Sequence, residues 1–148
     1  MKKRTFTTAF EVDQSPEDVF LAINHVRDWW SGEVDGETEG LGSVFTYRVP
    51  GIHFSRQQII EFIPGQKVVW HVTDAELAFV KDVEEWKGTD IVFEIQKKGV
   101  KTEVRFSHVG LVPELECFND CSNAWEMLIT GNLRRRIATG EPQPSPWD

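Results

Sequence analysis

The C-terminal third constrains the fold most. The run Thr102-Glu103-Val104-Arg105-Phe106-Ser107-His108 alternates apolar and polar residues, the period of a strand with one buried and one wet face. The stretch Thr89 to Lys97 repeats that alternation, with Ile91, Phe93 and Ile95 set against Asp90, Val92 and Glu94, and Lys98-Gly99 reads as the hairpin turn between the two. After Val109-Gly110-Leu111-Val112-Pro113 the period changes. From about Glu114 to Ala138, Phe118, Cys121 or Ser122, Trp125, Ile129 and Leu133 recur at three- and four-residue steps, with Leu128 beside them, as on one side of a helix. At about 1.5 Å per residue such a helix crosses a small domain. A long helix over a bent antiparallel sheet encloses a cavity more readily than it fills a core, which points to a container for a small apolar molecule.

Upstream, Phe6 to Val12 reads as a first strand with Phe6, Phe10 and Val12 on one side. Ser15-Pro16-Glu17-Asp18 is a helix start: Ser15 can cap, Pro16 suits the first helical position, and the acids suit the dipole. Val19, Phe20 and Ile23 give that helix its apolar stripe, an end is expected near Asn24-His25, and a second helical turn carries Arg27-Asp28-Trp29-Trp30. Ser31 to Gly42, rich in glycine and acids, reads as a loop. Three strands are expected next, Ser43 to Val49, Phe54 to Ile63 and Lys67 to Thr73, punctuated by Pro50-Gly51 and Pro64-Gly65. Such short turns favour an antiparallel meander. Asp74 to Lys87 fits a helical turn, a loop or an irregular strand equally well. Gly140 is a natural helix stop, and Pro142, Pro144 and Pro146 keep the tail extended. The division expected is one domain over 1–140 and a Pro-rich tail over 141–148.

The length of 148 residues suits a single domain. A net charge of -8 argues against nucleic acid and anionic membrane surfaces as partners. No run approaches the roughly 20 apolar residues that span a bilayer. The basic start, Met1-Lys2-Lys3-Arg4, has no apolar stretch behind it, so neither a signal peptide nor membrane insertion is expected, and a cytoplasmic location is. Six tryptophans and ten phenylalanines could fill a core or line a pocket. Cys117 and Cys121 share a helix face, but two thiols do not complete a zinc site and no histidine spacing completes it for them, so two half-buried small residues is the plainer reading. No cofactor and no metal site are expected.

This order resembles the helix-grip fold of the START and birch-pollen-allergen-like (SRPBCC) superfamily. Within it, four pieces resemble the family named for homology to the activator of the heat-shock-protein-90 ATPase. They are Val12 to Ile23 with Trp29-Trp30; Ile60 to Trp70; Gly88 to Ile95 with Thr102 to Leu111; and Trp125 with Leu128, Leu133 and Gly140. The resemblance implies an α+β chain, a curved antiparallel sheet wrapped around a long C-terminal helix, with two short helices after the first strand closing one end. It implies a cavity between sheet and helix, and a stress-related role by way of a chaperone partner.

The residues expected to line that cavity are Phe45, Tyr47, Trp70, Trp86, Phe106, His108, Phe118, Trp125 and Ile129. Tyr47 shares a face with Phe45 and Val49, so it points inward and Arg48 outward. His108 ends an inward-facing register and serves either as a pocket group or as a satisfied turn histidine. His53, Arg56 and His71 are expected to be exposed. Trp29-Trp30 is either an aromatic lip or a structural plug, and Trp86 a flap. Trp147, in the tail, docks on the body or stays loose. Arg134-Arg135-Arg136 answers the negative end of the helix dipole more readily than it builds a phosphate site. No nucleophile with a matched base and no phosphate loop emerges. The function expected is binding of a small hydrophobic, aromatic or lipid-like ligand. The alternatives are a polyketide cyclase or aromatase-like enzyme using Tyr47 and His108, and an interaction protein that stimulates a chaperone ATPase.

Overall fold

A computed structural model of the chain describes residues 5–30, 32–113 and 115–141. Strand β1 (Phe6–Val12) leads into helix α1 (Pro16–Asn24) and a 3-10 turn (Val26–Asp28). Strands β2 (Glu33–Gly36), β3 (Val44–Val49), β4 (His53–Ile63), β5 (Lys67–Leu77), β6 (Asp90–Lys98) and β7 (Lys101–Val109) follow. Helix α2 (Phe118–Glu126) runs through a π-helical segment (Met127–Leu133) into α3 (Arg134–Thr139), as one continuous helix. The seven strands make one curved sheet in the order β1-β7-β6-β5-β4-β3-β2, every pair antiparallel.

The local signals act as their chemistry demands. Ser15 Oγ accepts from the Asp18 amide at 3.2 Å with Pro16 in the first turn. Gly140 ends the helix at φ +77°, a conformation that costs a residue with a Cβ. Register shifts at Arg56/Gln57 and Ile59/Glu61 mark bulges between β4 and β5, where such irregularities bend a sheet.

Four details differ from the sequence reading. The stretch read as a loop contains β2, because Val34, opposite Tyr47, buries its side chain and the edge of β3 supplies the hydrogen bonds; one apolar residue among acids carries too little pattern to reveal this. Strand β5 runs four residues beyond Thr73, to Leu77, since Ala75 and Leu77 continue its buried face. The terminal helix begins at Phe118, after turns; the expected start, Glu114, lies outside the described residues, as do Pro142, Pro144, Pro146 and Trp147. The helix is also not uniform. Trp125, Ile129, Leu133 and Ile137 recur every four residues and are all buried. At about 3.6 residues per turn such a stripe drifts round an α-helix. The wider turn of the π segment takes up that drift and keeps the four facing the sheet.

The core is dominated by indoles. Trp29, Trp30, Trp70, Trp86 and Trp125 are all buried. Trp29 stacks on Trp70 at 6.2 Å between ring centres and Trp30 stacks on Trp70 at 5.7 Å. Trp30 meets Trp125 at 5.2 Å, and Trp125 stacks on Trp86 at 5.7 Å. Trp29 is pinned as a plug: its Nε1 donates to the Ile23 carbonyl at 3.1 Å and its own carbonyl accepts from Asn132 Nδ2 at 3.2 Å. Most of the space between sheet and helix is therefore filled.

Candidate ligand cavity

Among the described residues, a cavity of about 220 Å³ stays open at the end of the sheet where the β3–β4 turn faces the start of α2. Tyr47, Val49 and His53 come from the sheet, Ile52 from the turn, Phe79 and Trp86 from the segment after β5, and Cys121, Ala124, Trp125 and Leu128 from the helix, with Trp30 at the back. A wider groove of about 510 Å³ shares Val49, Ile52 and His53 with it and runs outward past Arg48 and Glu76. The Tyr47 ring lies flat on Trp30, 3.8 Å away at 9°. Burial pushes the Tyr47 phenol well above its ordinary value, so it stays protonated.

Two histidines serve this region. The first, His53, was expected to be exposed and instead faces inward. Tyr47 pairs with Ser55 across the β3–β4 ladder, so Ser55 shares its face, and His53 and Gln57 do so by alternation. His53 Nε2 lies 3.0 Å from Ser55 Oγ, and Gln57 Nε2 donates to the same oxygen at 2.5 Å. The His53 ring stands edge-on to Trp86 at 4.7 Å, and burial lowers its pKa to about 4. Arg56 is exposed, and His71 is half-exposed, with Nδ1 2.6 Å from Asp90 Oδ1.

The second, His108, is fully buried behind the cavity and saturated by its neighbours. Trp125 Nε1 donates to its Nδ1 at 3.0 Å. That bond leaves the ring proton on Nε2, which sits 2.8 Å from Thr89 Oγ1; Thr89 in turn donates to the Trp86 carbonyl at 2.5 Å. Burial, with a smaller push from His53, lowers the His108 pKa to about 3. His108 thus acts as a neutral pin fixing Trp125 and the backbone of Trp86. The indole N–H groups of Trp70 and Trp86 are buried with no acceptor among the described residues.

The start of the helix is tied to the segment that carries Trp86. Glu85 Oε2 accepts from the Glu116 amide at 2.9 Å and Oε1 from the Cys117 amide at 3.1 Å, while Glu116 Oε1 accepts from the Lys81 amide at 3.1 Å. Trp86, next to Glu85, stands in the wall of the cavity. Cys117 and Cys121 are free thiols. The Cys121 contact, burial and the Glu85 carboxylate push the Cys117 thiol far up, away from the thiolate that metal binding or nucleophilic attack requires. Among the described residues, no three His, Cys, Asp or Glu side chains converge as a metal would need. At the far end, Arg136 Nε bonds Asp28 Oδ2 at 2.8 Å, while Arg134 and Arg135 are exposed.

Of the nine residues that the sequence puts forward, Tyr47, Trp86 and Trp125 wall the cavity and His108 stands directly behind the two indoles. Phe45, Trp70, Phe106 and Ile129 lie in the core, away from the opening, and half-buried Phe118 lies off its wall. His53, Ile52, Phe79, Ala124 and Leu128 were missed. For His53 a signal existed: once Tyr47 is placed inward, the short turn after Val49 forces Ser55 and His53 onto the same face. Cys121, read as a small residue leaving room beside Trp125, does line the opening.

No family model matches the sequence, and no curated protein matches it. Solved structures do. The Aha1 dimer from Colwellia psychrerythraea is 22% identical at a TM-score of 0.74, over 92% of this chain and 97% of that one. This chain has the helix-grip fold. CalU16 from Micromonospora echinospora shares it at 16% identity and a TM-score of 0.65, over 96% of this chain and 78% of its own. DynU16, from the dynemicin biosynthetic locus, shares it at 12% identity and a TM-score of 0.67, over 95% of this chain but only 49% of its own, so this chain spans about half of DynU16. Among the described residues no helix is long and apolar enough to cross a membrane.

Proposed function

We propose that this protein binds a small, uncharged, planar and mostly apolar molecule in the cavity between the β3–β4 turn and α2. One observation carries the reading: a space of about 220 Å³ stays open in a core otherwise packed with indoles, and Trp30, Tyr47, Phe79, Trp86 and Trp125 stand in its wall. The volume lies below the roughly 300–1,000 Å³ common for drug-sized ligands, which favours a one- or two-ring compound over a whole lipid. Any longer substituent leaves along the groove past Ile52. Tyr47, Trp86 and Trp125 are the proposed contact residues, with His108 positioning Trp125. The cyclase alternative needs His108 to exchange a proton with a substrate. Both its ring nitrogens are already engaged, which weighs against that reading.

The test is a titration with naphthalene, followed by the indole N–H signals in ¹H–¹⁵N spectra. Saturable shifts at Trp86 and Trp125 are expected. Ala124 lines the cavity yet is exposed on the helix, so Ala124→Phe fills the space without disturbing the core. That variant should bind about tenfold more weakly, a loss of about 1.4 kcal/mol. Absence of saturable binding to the unmodified protein would overturn the reading.

A further inference from the structure

The geometry points to His53 as the residue that selects the ligand, and to a neutral aryl carbonyl compound as the ligand class, its oxygen accepting from His53 Nδ1–H. This rests on the ligand-binding reading above and adds to it the chemistry of recognition.

The argument is a count of protons along a buried relay. Gln57 is fully buried, and its amide donates to Ser55 Oγ. The reverse orientation of that amide would strand an N–H pair in the core, whereas this one leaves only the Oε1 acceptor unpaired, the cheaper vacancy. Ser55 has one proton. Its oxygen already accepts from the amide, and the remaining polar atom beside it among the described residues is His53 Nε2. The serine proton therefore goes to Nε2, and a neutral imidazole accepting at Nε2 carries its own proton on Nδ1. No described residue accepts from Nδ1, and His53 forms part of the wall of both the cavity and the groove. His53, in that wall and edge-on to Tyr47 and Trp86, thus carries a donor that no described residue takes up.

The surroundings narrow the ligand's charge. Burial keeps His53 unprotonated near neutral pH, so the donor itself carries no charge, and Arg48 in the adjoining groove shares that groove with Glu76. Asp120, exposed on the helix side of the cavity, and the net charge of -8 repel anions further. A neutral carbonyl attached to a flat ring meets all three conditions: an acceptor, no charge, and an apolar body.

The test compares acetophenone with α-methylstyrene, which share a shape and differ in one acceptor oxygen. Titrations read at the Trp86 and Trp125 indole signals should show acetophenone binding about tenfold more tightly, the size of one buried hydrogen bond. His53→Phe should bring the two within about twofold of each other. Long-range ¹H–¹⁵N spectra of the unmodified protein should show His53 as the Nδ1–H tautomer, and Ser55→Ala should turn that signal into a mixture. Equal binding of the two probes, or an Nε2–H tautomer at His53, overturns the selection by His53 and leaves the cavity reading standing. If neither probe binds, both fall. Should His53→Phe not fold, the probe pair and the tautomer signal on the unmodified protein decide the matter alone.

Discussion

Single atoms decide whether the aromatic wall stands. Gly32 passes so close to Tyr47 that a Cβ there would lie 2.5 Å from Cε1 and 2.6 Å from Cζ. The Tyr47 ring has little freedom to retreat, because Trp30 lies flat against it. Gly32→Ala should therefore destabilise the protein by about 1–3 kcal/mol, as overpacking does, with a lower urea midpoint and an unchanged slope. An unchanged midpoint would show that the ring has room to move. Thr89→Val is the matching probe behind the cavity. It keeps the shape of the side chain and removes the oxygen beside His108 Nε2, stranding a buried N–H at a cost of about 1–3 kcal/mol. The Trp125 indole signal should shift as its partner loosens. Little of this is readable from a single sequence. His108 at the end of β7 is visible as an inward position. That Trp125, 17 residues later, reaches its Nδ1 depends on how the helix returns across the sheet, and no local pattern encodes it.

Elements were legible in proportion to how much of their own burial they carry. Strands β6 and β7 alternate cleanly because one face is wet, and α1 announces itself through Ser15 and Pro16. Strand β2 exists mainly because β3 offers it an edge, so its sequence looks like a loop. The segment after β5 has no regular strand pairing. Backbone bonds tie its ends, Ala78 N–H to the Ile52 carbonyl at 2.9 Å and Gly88 N–H to the Val72 carbonyl at 2.8 Å. Glu85 ties it to the helix, its carboxylate sitting where the start of the helix presents unpaired amides. Removing that carboxylate tests whether the tie holds Trp86 in the wall. Glu85→Ala should lose about 1 kcal/mol, in line with a lost cap, and the amides of residues 115–117 should exchange faster with deuterium. If exchange there stays at the level of the unmodified protein, the tie is not what orders this end of the helix.

At the scale of the whole molecule, the sequence supports the container shape but not the amount of space inside. Sixteen bulky aromatic residues, tryptophan and phenylalanine together, are compatible with a lined cavity or a filled one, and the count cannot separate them. The chain does both: Trp29 and Trp70 fill, while Trp86 and Trp125 line. The same low-polarity interior sets how folding responds to acid. His53 and His108 titrate at about 4 and about 3 in the folded chain, against 6.5 as the ordinary value. Below that value the unfolded chain takes up protons that the folded chain refuses. Their contribution to stability is therefore complete above about pH 6.5 and is lost as the pH falls towards the folded values. By about pH 5 the sealed His108 costs up to about 2 kcal/mol and the cavity-facing His53 somewhat less, on top of whatever the carboxylates that begin to titrate there contribute. Urea unfolding between about pH 7 and pH 5 should show this decline, and His53→Phe should flatten it by up to one proton's worth of slope. A slope that does not change in that variant would mean that His53 protonates as readily in the folded chain as in the unfolded one, and that the cavity wall is wet where the geometry makes it dry.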